Sequence, residues 1–182
     1  MSAAPLFRLA TPGDLAAVET LLGRSYPALL KADYPPSVLV TAVPRIVHAQ
    51  PALLASGSYW LAEEGGTVIA AGGWTATAPG TGPGSGGNAY TGHVRHVATD
   101  PAHLRRGLAR GLLERAIAQA QGQGLRRLNC LSTRTAVPFY AALGFRTLGP
   151  TDVPLGPGIV FPAVAYTPFP TRRSSDYRKS VV

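Results

Sequence analysis

Apolar residues recur along the chain at two periods. Near the start, Phe7-Arg8-Leu9 reads as a short strand. Thr11-Pro12-Gly13-Asp14 follows as a helix start, with Thr11 as N-cap, Pro12 at the first helical position and Asp14 three residues after the cap. Leu15, Val18, Leu21 and Leu22 place an apolar stripe on one helix face, and Tyr26-Pro27 is expected to break that helix. A second helical stretch is expected from about Ser37 to Ala49, kinked or divided at Pro44. Ser58 to Glu63 and Thr67 to Thr77 read as strands joined by the hairpin signal Glu64-Gly65-Gly66. Pro79 to Gly87 is a loop by composition. Thr91 to Thr99 is a further strand; strict alternation puts His93, Arg95, Val97 and Thr99 on one face and Val94, His96 and Ala98 on the other.

The clearest helix runs from about Gly107 to Gly122, where Leu108, Leu112, Leu113, Ala116, Ile117 and Ala120 recur at helical spacing. Arg127 to Ser132 reads as one strand and Thr135 to Leu143 as a short helix. A strand opens at Gly144-Phe145, and the last strand spans Ile159 to Tyr166. No pattern is evident in Pro150 to Pro157, and Thr171 to Val182 reads as a loose basic tail. Strands and helices alternate in the second half, which predicts an α/β or α+β fold with at least one parallel crossover. One domain over residues 1–170 is expected.

Composition narrows the class. Of 182 residues, 46% are hydrophobic and 14% charged, which supplies a core and excludes whole-chain disorder. A lone cysteine excludes a disulfide framework or a cysteine-rich zinc site, and no metal is expected. The opening MSAAPLFRLATPGD has no basic start followed by an apolar run, and no stretch is apolar enough to span a bilayer. A cytoplasmic location without membrane association is therefore expected.

The formal charge of +8 is unevenly placed. Eight arginines face only Asp100 and Glu114 between Arg95 and Arg134, and the tail adds Arg172, Arg173, Arg178 and Lys179 against Asp176. From Arg105 to Arg134 no aromatic residue interleaves with the arginines. That argues against a specific nucleic-acid surface and for a local anion site.

The chemistry concentrates in Val97-Ala-Thr-Asp-Pro-Ala-His-Leu-Arg-Arg-Gly107-Leu-Ala-Arg110. A strand runs into a loop that delivers glycine, small residues and arginines to a helix N-terminus. Unpaired amides and the positive end of the helix dipole stabilise an anion there, by about 0.3–1 kcal/mol per exposed contact. Gly107 and Ala109 let a phosphate approach the backbone, while Arg105, Arg106 and Arg110 add charge, as a diphosphate requires. No Gly-Lys-Ser/Thr follows, so this is not a Walker loop. The segment Gly82-Pro-Gly-Ser-Gly-Gly87 spells a dinucleotide fingerprint but precedes a strand rather than a helix.

Leu104 to Ala109 resembles the acyl-CoA-binding motif of the GNAT acetyltransferases, Arg/Gln-x-x-Gly-x-Gly/Ala, with Gly107 and Ala109 at its small positions and Leu104 in place of the first residue. Thr133-Arg-Thr-Ala-Val-Pro-Phe-Tyr140-Ala-Ala-Leu-Gly-Phe145 is similar to that family's Asn-x-x-Ala-x-x-Phe-Tyr-x-x-Leu-Gly-Phe block, with Thr133 in place of Asn. Gly72-Gly73-Trp74 and Leu155-Gly-Pro-Gly158 look like small bacterial members, so the resemblance covers Phe7 to about Tyr166.

The resemblance implies a mixed sheet of about six or seven strands with about four helices, splayed between strands 4 and 5. It implies acetyl-CoA as co-substrate and an amine acceptor. Val97, Ala98 and Thr99 would pair with the pantetheine arm, Arg105, Arg106, Gly107, Leu108, Ala109 and Arg110 would hold the diphosphate, and Thr133 would contact the coenzyme. Tyr140 matches the family's general acid. His93, fourteen residues before Gly107 where many members place Glu or His, matches the general base and has a suitable ordinary pKa. Glu63 and Glu64 are fallback bases acting through water. Tyr26, Tyr34 and Trp74 are candidates for the acceptor pocket, with core packing the alternative for each. His96 is expected on the face opposite His93, His48 and His103 at the surface, and Cys130 as a buried thiol. A coenzyme-binding regulatory module without turnover is the alternative function. Dimers are common among members, although the sequence itself does not show one.

Overall fold

The structure, a computed structural model, describes residues 4–78 and 89–167 in full and residues 169–170 as backbone. The glycine-rich loop and the tail after Pro170 lie outside the described residues, apart from the loop's edge at Ala78. The elements in order are β1 (Leu6–Leu9), α1 (Leu15–Leu30), α2 (Pro36–Ile46), α3 (Pro51–Leu54), β2 (Tyr59–Glu64), β3 (Thr67–Thr75), β4 (Thr91–Thr99), α4 (Leu108–Gly122), β5 (Arg127–Asn129), β6 (Leu131–Ser132), α5 (Val137–Ala142), β7 (Thr147–Gly156), β8 (Ile159–Tyr166) and β9 (Phe169–Pro170). Two sheets result, one of order β1-β2-β3-β4-β5-β9 and one of order β6-β8-β7. Among the described residues no helix is long and apolar enough to cross a membrane.

The two faces of the larger sheet carry separate cores. Leu61, Ala71 and Ala98 lie in one row and pack under α1 with Val18, Leu21 and Leu22. On the other face Ala62, Ile69 and Ala70 pack on Leu108 and Leu112 of α4, while Trp74 and Val94 meet Leu113 and Ala116. The pattern Leu108, Leu112, Leu113, Ala116 and Ala120 is buried as its spacing predicts. A third cluster joins Leu30, Tyr34, Ala42 and Val43 to Phe161 and Ala163 of β8.

Four local expectations are corrected. α1 runs through Pro27 to Leu30. The lost amide and the clash of the Pro27 ring with the Gly23 carbonyl are outweighed by tertiary packing, which holds Tyr26 and Leu30 of the same helix. The second helical stretch divides beyond Ile46 rather than at Pro44, with α3 starting afresh at Pro51. The strand expected from Arg127 to Ser132 is two strands in two sheets, parted at Cys130, whose carbonyl accepts from the Tyr166 amide at 3.2 Å. The featureless stretch from Pro150 is part of β7, which pairs only with β8; an edge strand tolerates Pro150 and Pro154.

That parting shapes the molecule. β4 and β5 run parallel and pair only through Thr91 with Arg127, Gly92 with Leu128 and His93 with Asn129. Beyond His93, β4 keeps β3 on one side but has no strand on the other among the described residues. The strands therefore fork, as the resemblance implies.

β2 and β3 approach so closely that a Cβ on Gly73 would collide with the Ser58 carbonyl and lie 2.7 Å from Tyr59 Cα. Gly73→Ala is expected to cost about 3 kcal/mol, because both obstacles are backbone. Gly23→Ala, on the exposed side of α1 with nothing within 4 Å of the new methyl, is expected to stabilise by about 0.5–1 kcal/mol. Denaturant midpoints of the two variants measure both, and opposite signs are the expected result.

Candidate active site

One limb of the fork is β4, which runs into a short helical turn at Pro101–His103 ahead of α4. Asp100 caps that turn by accepting from the Ala102 amide at 2.9 Å, and it is itself held by Arg24 at 2.8 Å. The chain then takes two left-handed residues, Arg105 at φ 59° and Gly107 at φ 76°, before α4 starts at Leu108. Gly107 is the N-cap and no side chain caps the helix. The amides of Leu108, Ala109 and Arg110 precede the first intrahelical bond, which Gly111 makes to Gly107 at 2.9 Å. A Cβ on Gly107 would meet nothing within 4 Å, so the turn is open to a ligand. Leu108 sends its side chain into the core and offers only its amide.

The arginines divide in their direction. Arg106 is turned to Glu64, with bonds of 2.6 and 3.1 Å. Arg105 is exposed. Arg110 lies 3.7 Å from Glu114 and reaches the Ala142 carbonyl of α5 at 3.5 Å, which ties the two limbs together. Glu63 is paired with Arg8 and Glu64 with Arg106, so an arginine neutralises each of the two fallback bases. His103 is half-buried, 3.4 Å from both Glu64 and Asp100, rather than at the surface; His48 is exposed beside Glu19.

The other limb carries Cys130, Ser132 and Thr133 into α5. Thr133 Oγ1 accepts from the Ala136 amide at 3.3 Å, so it caps the short turn before α5. Tyr140 is buried at 4% exposure among Phe139, Phe145 and Tyr166. It packs with Cys130 at the point where the strands part, and each group bears on the other's titration. Burial raises the Tyr140 phenol well above its ordinary value and pushes the Cys130 thiol up to about 12. Cys130 is thus a protonated, unreactive thiol at neutral pH, as expected.

Strand β4 departs from strict alternation. Its register against β3 shifts between Ala71 and Gly73, and His96 takes φ 37°. This bulge turns His96 to the α1 face, where its Nδ1 lies 3.4 Å from the Tyr26 hydroxyl. Val97 packs instead with the α4-side cluster and Ala98 with the α1-side cluster, the reverse of the alternation read from sequence. Tyr59 Oη donates to the His96 carbonyl at 2.9 Å. Arg95 shares a row with Gly73 and Tyr59, so it also lies on the α1 face. Tyr26 and His96 sit deep among protein atoms yet keep part of their surface open, as groups lining a cleft do.

His93 stands at the closed end of the fork, opposite Thr75 and Asn129. Burial and then Arg95 hold its pKa below the ordinary value; the same causes bring His96 down to about 4. Both imidazoles are neutral at neutral pH. Of the pocket candidates, Tyr26 faces the cleft, Tyr34 is taken up by stacking on Phe161 at 4.9 Å and bonding to the Pro162 carbonyl, and Trp74 is core. Trp74 and Thr75 also line a recess of about 280 Å³ at the end of β3. Sequence reasoning set His96 aside, and its only signal would have been a bulge that no residue type announces. Among the described residues no group of His, Cys, Asp and Glu could hold a metal.

A forked parallel pair, with open amides of a helix N-terminus at its mouth and a phenol at its root, is a cleft for an elongated ligand with an anionic end. A family model described as the acetyltransferase (GNAT) family matches residues 20–145, and the chain belongs to that family. Among solved structures it is similar to a GCN5-related N-acetyltransferase from Rhodopseudomonas palustris (TM-score 0.71, 16% identity, covering 91% of this chain and 96% of that one). It is similar to the PaiA N-acetyltransferase of Thermoplasma acidophilum in complex with coenzyme A (0.65, 13%, 91% and 100%). It also resembles YncA of Salmonella typhimurium with its cofactor acetyl-CoA (0.63, 19%, 94% and 96%). A sequence search of curated proteins finds no match. At these identities the likeness is one of fold.

The displaced imidazole has a measurable consequence. An unfolded His96 titrates near 6.5 and the folded one near 4, so the unfolded chain binds more protons between those values. Stability is then lost as pH falls from about 6.5 towards 4. In His96→Gln the denaturant midpoint is expected to fall less steeply over that window than in the wild type; equal slopes would show that His96 is not held neutral.

Proposed function

We propose that this protein transfers an acetyl group from acetyl-CoA directly to a primary amine of a small molecule or protein. The observation that carries this reading is the fork of β4 and β5 with the left-handed turn at Gly107 at its mouth. An acyl-CoA has the matching shape, an anionic diphosphate joined to a narrow, amide-bearing arm that ends in a thioester. The amides of Leu108, Ala109 and Arg110 bind the diphosphate, and Arg105 and Arg110 supply charge. Arg106, held on Glu64, contributes through its backbone and by fixing the turn. The arm lies along Val97, Ala98 and Thr99, whose β5-side edge has no strand partner. Thr133 contacts the coenzyme from the opposite limb.

The thioester then reaches the root of the fork beside Tyr140. An alkyl ammonium has an ordinary pKa near 10.4, so it must lose a proton before attack. His93, neutral and on β4, accepts that proton through water. The C–N bond forms, the C–S bond breaks, and the nitrogen loses a second proton as the amide forms. One of the two protons ends on the coenzyme sulfur and the other in solvent. An ordinary thiol ionises near 8.5. Tyr140, raised above its usual phenol range, therefore supports the departing thiolate by donating a hydrogen bond.

The experiment pairs coenzyme binding with turnover. Tyr140→Phe is expected to lower kcat by about 10²-fold while acetyl-CoA affinity stays unchanged, since removing one preorganised donor to a developing negative charge costs about 10²–10³-fold. Gly107→Ala, which forces a side chain into a left-handed turn and places a methyl in the anion cradle, is expected to weaken acetyl-CoA binding about tenfold. Binding is followed by calorimetry and turnover by release of free thiol. A Tyr140→Phe enzyme with wild-type kcat would remove Tyr140 from the mechanism, and wild-type binding in Gly107→Ala would remove the turn.

A further inference from the structure

Two arginines among the described residues are not exposed, Arg8 and Arg95. They are treated oppositely. Arg8 is gripped by Asp14 and Glu63, each at 2.7 Å. Arg95 has no carboxylate within ion-pair distance among the described residues; its Nη1 donates to Thr75 Oγ1 at 3.0 Å. Burial works against its charge, and a guanidinium does not discharge itself by losing a proton at physiological pH. A half-buried cation without a counter-ion is a poor structural element, because desolvation is not offset by pairing. It suits a place where an anion arrives with a ligand.

The surroundings say which anion. Arg95 lies on the α1 face of β4 with Tyr59 in its row, and its charge bears on both His93 and His96. The groups facing it are therefore two neutral imidazoles, the phenols of Tyr59 and Tyr26, and the Thr75 hydroxyl. Its charge is single, and among the described residues no second cation bears on it or on its two histidines to balance a dianion such as a phosphate monoester. A carboxylate matches in charge and in the planar fork of donors. Among the described residues the guanidinium bonds to Thr75 alone, which leaves its other donors to a ligand.

We propose that the acceptor is a small molecule bearing both an amine and a carboxylate, such as a free amino acid, with Arg95 holding the carboxylate and the amine lying towards the thioester. This rests on the acetyl-transfer reading above and names the substrate class of that same site. Tyr26 and Tyr59, which fix His96 by its ring and by its carbonyl, keep the wall of this subsite in place.

The test is a matched panel of L-amino acids and their C-terminal amides, assayed by thiol release from acetyl-CoA with wild type, Arg95→Met and Arg95→Lys. For at least one amino acid the free acid is expected to exceed its amide at least ~100-fold in kcat/KM, since a site built to bond a polar group rejects the analogue lacking it. In Arg95→Met that ratio should fall to near one, with acetyl-CoA affinity by calorimetry unchanged. Arg95→Lys keeps the charge and covers the case in which methionine unfolds the chain; it should still prefer acids, with a raised KM. Acids and amides turned over equally by the wild type, or a preference that survives in Arg95→Met, overturn the inference and leave acetyl transfer standing. So does a wild type that binds acetyl-CoA and turns over no acid. Failure of the wild type to bind acetyl-CoA overturns the underlying reading and this one with it.

Discussion

The structure turns on a parallel strand pair that stops after three residues. β4 continues for six residues past His93 and β5 ends at Asn129. A buried strand edge is costly, because backbone N–H and C=O groups removed from water need partners. Here the bulge at His96 and the switch of the chain at Cys130 into a second sheet keep the limbs apart, so the edge is reserved for something that brings its own hydrogen-bonding groups. The coenzyme arm proposed for this cleft carries amides of that kind. Everything else is arranged about the fork, with α4 beginning at its mouth, α5 bringing Tyr140 to its root and α1 closing the face where Arg95 and His96 stand.

Charge is distributed with the same economy. The arginines and acids around the turn before α4 are paired off: Arg24 with Asp100, Arg106 with Glu64, Arg110 near Glu114. These pairs fix the turn, and the diphosphate proposed for it would meet its backbone amides together with Arg105 and Arg110. On the opposite face the histidines of β4 are neutral, so Arg95 is the principal charge at that wall of the cleft. A diphosphate at one end and a carboxylate at the other would each meet positive potential, with the uncharged, proton-moving groups between them.

Much of this was legible in the sequence. The Leu108 to Ala120 periodicity gave α4 because one face is buried throughout, and β8 matches Ile159 to Tyr166 to the residue. The Gly107 turn and the Phe139-Tyr140 pair were legible because small residues among arginines at a helix start mark an anion turn and a family motif marks the phenol. What escaped was set by tertiary packing. Pro27 inside α1 and the prolines of β7 contradict local propensity, and only the neighbours that hold Leu30 and the edge position of β7 explain them. The division of the Arg127 to Ser132 run at Cys130 leaves no trace in residue type. The bulge is the miss with functional weight, since a single left-handed residue at His96 exchanges the faces of everything after it on β4 and brings a second imidazole beside Arg95. Alternation read from sequence assumes an unbroken pleat, and this strand is broken at the site.

The most direct test of the fork as a coenzyme cleft is residue-resolved. In ¹⁵N–¹H spectra of the full chain titrated with coenzyme A, the backbone amides of Val97 to Thr99 and Gly107 to Arg110 should shift together, with one affinity and with little change in β7. Shifts confined to the arginine-rich tail, or none at saturating coenzyme, would contradict the account.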